Sequence, residues 1–385
     1  MAAKKKSAPA APATSSVRDA PRSPTDKTTL TKIERLAQNA LRTVTKGENP
    51  AVSIRMRALS NVSFNEKKRI IELGDRAQSR EFFNTSMARK FMQTFLVANG
   101  CKQLIDENKT VSIRQMFYMT KHTIKGTSEN TFEEQGESDP IIEDLEVSAD
   151  ALREELHLFA DKKGTLAGPL VLDDSGDRID LSRMGRGGWS IPSICEPSVI
   201  KFVKNDAKFI LFVEKNAIWE RLNEDRFQKK HGCILMTTAG QATRGARRLL
   251  QRMATELKLP VYVLVDNDPW GLYIYSVLKQ GSISLAYESM RLAVPHVRFL
   301  GMSSLDHAKF NLSSAVEIRL NDKDIDRAKQ MMAYPWFKDK KWQKEMDALL
   351  HNGFKMELDG LLTKSISFIS EEYIPKKLRD KDYLQ

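Results

Sequence analysis

The sequence predicts an α/β protein: a mostly parallel sheet with helical crossovers, preceded by a smaller, mainly helical module that makes the whole α/β with α+β. Three observations carry this. Apolar runs of strand length recur between residues 209 and 300, and amphipathic segments of helix length separate them. Parallel strands require such crossovers. Upstream of residue 125 the apolar spacing is instead near 3.6, and two Ser/Thr-x-x-Glu/Gln capping patterns mark helix starts.

Residues 1–26 are rich in Ala, Pro, Ser and Lys and bury too little apolar surface to fold, so a disordered basic tail is expected. Thr31-Lys32-Ile33-Glu34 then opens a helix with Ile33, Leu36, Ala37, Ala40, Leu41 and Val44 on one face. Residues 27–79 are read as a helical extension whose apolar face packs on its own domain or docks a partner. Residues 80–145 form the next module. Helices are expected over 87–98, 101–107 and from Ser112 to about Lys121, the last opened by Ser112-Ile113-Arg114-Gln115. Three short helices with a basic third one fit a helix-turn-helix or winged-helix DNA module. Residues 126–150 read as an acidic loop or linker. The sheet domain occupies 146–385. Short strands are expected over 163–172 and 178–182, then Phe209–Val213, Cys233–Thr237, 261–265 and 297–300. Helices are expected near 217–230, 244–257 and 270–278.

The net charge is +11, although residues 129–155 hold eleven Asp and Glu against one Arg. The rest of the chain is therefore strongly basic, which favours a polyanionic partner. Cys101, Cys195 and Cys233 lie far apart and form no metal-binding pair. No run approaches membrane-spanning length, and the N-terminus lacks an apolar signal core. An intracellular protein of the cytoplasm or nucleoid, or of a nucleus, is expected, with no membrane partner.

Three constellations could carry chemistry. Phe209–Val213 runs into Glu214, and 261–265 runs into Asp266-Asn267-Asp268. Functional groups of parallel sheets gather at the carboxyl ends of strands. Hard oxygen donors without His or Cys suit Mg²⁺. Asp268, before Pro269 and a helix, is equally suited to be an N-cap. Arg114 and Tyr118 stand at i and i+4 of one helix, where a guanidinium can bind phosphate beside a phenol. Arg244, Arg247 and Arg248 are spaced along one side of a helix opposite Leu249, Leu250 and Met253, as a nucleic-acid contact or a solvated basic face. No phosphate-binding loop with a Lys-Ser/Thr ending is present, so no ATP site is expected on this chain.

Together, FILFVEKN (209–216), VLVDNDPWG (263–271), LKQGS (278–282), SIRQMFY (112–118), Gly240-Gln241 before the arginine helix, and EYIPKKL (372–378) resemble the family of the topoisomerase VI A subunit, which includes the meiotic double-strand-break protein. The likeness runs from about residue 30 to the end. It implies a winged-helix (CAP-like) domain followed by a Toprim domain. It implies Tyr118 as nucleophile with Arg114 beside it, Glu214 and Asp266 as principal Mg²⁺ ligands, and Asp268 as an additional one. Arg244, Arg247, Arg248 and Lys121 are the candidate DNA contacts. Trp270 stands where the family has a smaller aromatic or His. The resemblance further implies double-stranded DNA as substrate and a homodimer of this chain. An ATPase partner, the B subunit of an A₂B₂ complex, would bind the ATP and dock on the helix near Thr31. The expected activity is cleavage and resealing of both strands through 5′-phosphotyrosine links, which relaxes and decatenates DNA. Rival readings are a strand-break protein without efficient resealing, a non-catalytic DNA-binding scaffold and a hydrolytic Toprim nuclease.

Overall fold

The computed structural model describes residues 23–385. The expected tail lies, up to residue 22, outside the described residues. The described residues divide into two compact units: residues 23–54 with 77–159, and residues 55–76 with 160–385.

In the first unit, helix α1 (Pro24–Thr45) starts earlier than the sequence indicated. Ser23 is the N-cap: its hydroxyl accepts from the Asp26 N–H, and the Asp26 carboxylate accepts from the Ser23 N–H. Thr31 lies inside the helix, its hydroxyl donating to the Lys27 carbonyl. The predicted apolar face divides. Leu30 and Ile33 are buried in the unit's core, whereas Leu41 and Val44 are 65% and 50% exposed. The helical extension does not continue to residue 79. Strand β1 (Ala51–Arg55) follows α1, with Val52 and Ile54 buried between exposed Ala51 and Ser53, a period of two that fits only a strand. Strands β2 (Val62–Asn65) and β3 (Ile70–Leu73) belong to the second unit, and β4 (Ala77–Glu81) returns to pair with β1.

Helix α2 (Thr85–Glu107) joins two segments predicted as separate helices. Gly100 between them does not break it. Any Cβ there would stand 2.8 Å from the Met116 sulfur, so glycine admits helix α3 (Ile113–Thr120) to close packing. The α3 capping box forms as expected between Ser112 and Gln115. Strand β5 (Val111–Ser112), just before it, pairs in parallel with β6 (Leu158–Phe159).

The acidic segment is not a loop. It contains helix α4 (Gln135–Ala149), whose Ile141, Ile142, Leu145 and Ala149 join the core with Phe117 and Phe132. Its acids are matched by inward-reaching cations. Asp144 pairs with Arg80, both nearly buried, and Glu146 accepts from Arg153 Nε at 2.8 Å. Truncating Arg80 removes a buried cation that pairs with the buried Asp144 carboxylate. Arg80→Ala is therefore expected to cost about 3 kcal/mol of unfolding free energy, read by chemical denaturation.

The second unit is built on a six-stranded sheet: β7 (Thr165–Ala167), β10 (Trp189–Ser190), β12 (Phe209–Val213), β13 (Cys233–Thr237), β14 (Val261–Leu264) and β15 (Arg298–Gly301), in the order β10-β7-β13-β12-β14-β15. Strands β13, β12, β14 and β15 run parallel, while β7 pairs antiparallel with β13, and β10 antiparallel with β7, at one edge. Successive residues of the central strands face opposite cores. Ile210, Phe212, Ile234, Met236, Val261 and Val263 join one cluster, and Leu211, Val213, Cys233, Leu235 and Leu264 join the other. Burial on both faces is why these strands read as continuous apolar runs.

Helices α5 (Asn216–Glu224), α6 (Phe227–His231), α7 (Arg244–Glu256) and α8 (Pro269–Gln280) provide the crossovers. The helix predicted over 217–230 is broken at Arg226, which adopts φ 59°. A separate antiparallel sheet combines β8 (Leu170–Asp174), β9 (Asp177–Asp180) and β11 (Ile200–Asn205) in the order β11-β8-β9. The short α9 (Ser289–Leu292) precedes β15, and α10 (Asp306–Lys309) follows it. Asp306 accepts from Tyr373 Oη at 2.6 Å and from Lys377 Nζ at 2.8 Å, so the 372–378 segment, which leads into α13 (Ile374–Arg379), is anchored beside the sheet.

The chain then leaves for α11 (Asp322–Ala333) and α12 (Lys340–Asn352) and returns through β17 (Phe354–Lys355), which pairs with β16 (Ile318–Arg319). An antiparallel bridge between Asn267 and Met356 brings this return segment to the end of β14. No helix among the described residues is long and apolar enough to cross a membrane.

Candidate metal and nucleophile sites

The strand register places the acids. Val213 of β12 lies opposite Leu264 of β14, so Glu214 and Asp266 emerge side by side at the carboxyl end of the sheet. The Asp266 N–H donates to Glu214 Oε2 at 3.1 Å, and the Glu214 N–H donates to the Leu264 carbonyl at 2.9 Å. Asp268 is the N-cap of α8, accepting from the Gly271 N–H at 2.6 Å. Gly271 has a packing reason: a Cβ there would meet the Asp266 carbonyl at 2.5 Å.

Burial first, and nearby negative charge second, disfavour the ionisation of these carboxyls. Burial first, then the charges of Asp266 and Asp268, push Glu214 up to about 7. Burial pushes Asp266 up to about 6 against the Leu358 N–H and Lys215, which hold it down. Asp268 is raised chiefly by burial. Among the described residues, no group of three or more His, Cys, Asp and Glu side chains is drawn together closely enough to hold a metal as it stands. The donor set nevertheless fits Mg²⁺. All three groups are carboxylates, and a hard cation would supply the positive charge that offsets their burial and the repulsion of Glu214 by Asp266 and Asp268.

Two neighbours of this site lie outside the three candidate metal ligands. Leu358 donates its N–H to Asp266 Oδ1 at 2.8 Å. Lys215 lies with its ammonium 3.1 Å from Asp266, 2.6 Å from Glu357 and 2.7 Å from Asp359. Lys215 follows Glu214 directly and is within reach of sequence reasoning. Glu357 and Asp359 are not, since the β17 return, 90 residues beyond Asp266, delivers them.

Tyr118 and Arg114 are both exposed on α3, Tyr118 at 60%. The adjacent Phe117 is buried, and its ring meets the Tyr118 ring edge-on at 5.0 Å. The helix is thus anchored by Met116 and Phe117 while the phenol and the guanidinium face outward. Lys121, just past the helix, donates to the Glu133 carbonyl at 3.1 Å and lies over the Phe117 ring.

The arginine row of α7 does not form the open basic face its spacing allowed. Arg247 is buried, and burial lowers its guanidinium to about 10 despite Glu288 nearby. Arg244 pairs with Glu288 at 2.6 Å and donates to Tyr287 Oη. Arg248 forks onto Glu196 at 3.0 Å. The acids that claim these arginines lie some forty to fifty residues away in sequence, which the spacing of the helix alone does not reveal. Trp270 is 49% exposed at the start of α8, with the Arg327 guanidinium 5.3 Å from its ring.

The comparisons cover both units. The Toprim-domain family of the topoisomerase 6 A subunit and Spo11 matches residues 209–378. "Type IIB DNA topoisomerase" matches residues 89–158, and "All-beta domain in DNA topoisomerase VI alpha subunit" matches residues 162–206, the stretch that contains β8, β9 and β11. The A subunit of type 2 DNA topoisomerase 6 from Pyrococcus horikoshii is 42% identical over 360 residues, spanning 91% of this chain and 94% of the relative. The corresponding protein of Hyperthermus butylicus is 40% identical, spanning 90% and 93%. The A subunit of DNA topoisomerase 6 from Arabidopsis thaliana is 33% identical, spanning 92% and 81%. With strand-end acids in the Toprim region, an outward tyrosine in the upstream unit and similarity along nearly the full length of these relatives, the chain belongs to the family of topoisomerase VI A subunits.

Proposed function

We propose that this chain is the DNA-cleaving and resealing component of an ATP-dependent type IIB topoisomerase. The observation that carries the reading is the exposed Tyr118 beside the exposed Arg114 on a helix anchored by the buried Met116 and Phe117. An aromatic ring left outside the core on such a rigid support is suited to meet a ligand. The unit that holds it serves as a winged-helix (CAP-like) DNA module. Its α3 is the element presented to the duplex, and Lys121 adds a backbone contact.

Tyr118 Oη attacks a backbone phosphorus. The Oη–P bond forms, the bond from phosphorus to the 3′ oxygen breaks, the phenol gives up its proton and the 3′ oxygen takes one up. Arg114 binds the phosphate and offsets its growing charge. Glu214 and Asp266, with Asp268, would hold Mg²⁺, which supplies positive charge against the phosphate oxygens. The 5′-phosphotyrosine conserves the bond energy, so attack by the 3′ hydroxyl restores the strand without a ligase. Two copies of the chain cut the two strands, the tyrosine of one protomer serving the acids of its partner. An ATPase partner, the B subunit, completes an A₂B₂ assembly and couples ATP to passage of a second duplex. The exposed end of α1, with Leu41 and Val44, is its docking element.

The test combines the purified chain with a candidate ATPase partner and linked DNA circles. ATP-dependent decatenation with intact product circles is expected. Linear products that accumulate without resealing would replace this reading with that of a strand-break protein.

A further inference from the structure

Lys215 occupies an unusual position for a lysine. Its ammonium is in contact with three carboxylates, and one of them is a proposed metal ligand. Asp266 presents its two oxygens to different partners: Oδ1 takes the Leu358 N–H at 2.8 Å, and Oδ2 faces the ammonium at 3.1 Å. Glu357 and Asp359 flank Leu358, so one short segment both fixes Asp266 and supplies the two further acids that hold Lys215. The β16–β17 pairing and the Asn267–Met356 bridge fix that segment against the strand end. The lysine is only partly exposed, and Glu357 and Asp359 are the more exposed of its partners.

The geometry points to Lys215 as a built-in competing cation for the metal site. In the metal-free protein its ammonium neutralises Asp266, and when a divalent cation is bound it rests on Glu357 and Asp359 alone. Glu357 and Asp359 are then positioning residues: they retain the displaced ammonium beside the site and so set how tightly the cation is held. Lys215 does not touch the reacting phosphate in this scheme. The inference rests on the reading of Glu214, Asp266 and Asp268 as the metal site. Two like charges a few ångströms apart repel strongly when partly buried, so the ammonium and the metal compete for Asp266.

The test is isothermal titration of Mg²⁺ into the full chain, without DNA, for four proteins: wild type, Lys215→Met, the double variant Glu357→Gln/Asp359→Asn, and Glu214→Gln. Lys215→Met is expected to bind Mg²⁺ about tenfold more tightly, because the competitor is gone. The double variant is expected to bind it more weakly by a similar factor, because the ammonium then has only Asp266 to rest on. It leaves Lys215 in place, so it informs even where the methionine variant folds poorly. Equal affinities in wild type, Lys215→Met and the double variant, with Glu214→Gln binding lost, would overturn the role of Lys215 and leave the metal site standing. Wild-type affinity in Glu214→Gln, or no Mg²⁺ binding by wild type, would overturn the metal site and the competition together.

Discussion

Replacing Tyr118 with Phe should eliminate covalent capture of DNA while the protein remains folded and still binds duplex. The side chain is 60% exposed, and its neighbours Met116 and Phe117 carry the packing of α3. Removal of one outward oxygen leaves that packing untouched, and a surface change of this kind shifts stability by no more than about 0.5 kcal/mol. The chemical consequence is far larger. Without Oη there is no atom to accept the phosphate, and cleavage is expected to fall by about four orders of magnitude or more, as loss of a covalent nucleophile does in other enzymes. Denaturing electrophoresis of protein stopped on labelled DNA reads the adduct, and melting temperature and gel shift read the fold and binding. An adduct that persists in the variant assigns the nucleophile to another residue. A protein that cuts without any adduct is a hydrolytic nuclease.

The parts of this design that sequence reveals are those whose causes are local. Phe209–Val213 and Cys233–Thr237 are legible to the residue, because strands buried on both faces are uninterrupted apolar runs. The α3 capping box is equally plain, since its partners are three residues apart. Local signals also mislead. Thr31-Lys32-Ile33-Glu34 has the capping pattern, yet Ser23 with Pro24 and Asp26 starts the helix a full two turns earlier. In α4 the apolar positions are hidden among carboxylates, and Pro140 and Gly136 read as loop residues. The cations that make those carboxylates tolerable, Arg80, Arg89 and Arg153, come from other elements or from beyond the helix end.

The candidate site follows the same rule. Glu214, Asp266 and Asp268 are visible because each ends a strand or begins a helix. Lys215's role is not, since it depends on Glu357 and Asp359, which arrive only after the α11 and α12 excursion closes through β17. The arginines of α7 show the converse. Their spacing on the helix is legible in the sequence, but their availability is decided by Glu196 and Glu288, which lie elsewhere in the chain.

Glu214→Gln should abolish metal-stimulated cleavage and at the same time make the metal-free protein more stable. Glutamine keeps the shape and can still accept the Asp266 N–H, so the hydrogen bond at 3.1 Å survives. What it removes is a half-buried negative charge beside Asp266 and Asp268. In the folded protein Glu214 is raised from 4.5 to about 7, by burial first and then by those two acids. A raised carboxyl favours the folded state fully only below its unfolded value, and that contribution is lost as pH climbs through the folded one. The stability gap between variant and wild type should therefore be small near pH 4.5, widen up to about pH 7 and stay level above it. Each tenfold change in acidity corresponds to about 1.4 kcal/mol, so after allowance for the partial burial of the site a gain of roughly 2 kcal/mol is expected at pH 8. Mg²⁺ should close the gap, because it stabilises only the protein that retains its ligand. Thermal melts at pH 4.5 and pH 8, with and without Mg²⁺, make the comparison. A variant that is less stable than wild type at pH 8 without metal would mean that Glu214 stabilises the strand end, and the case for strained acids awaiting a cation would fail. The predicted result would instead locate a cost in the metal-free fold at the residues that the cation relieves, a trade of stability for function that a purely structural cluster would not show.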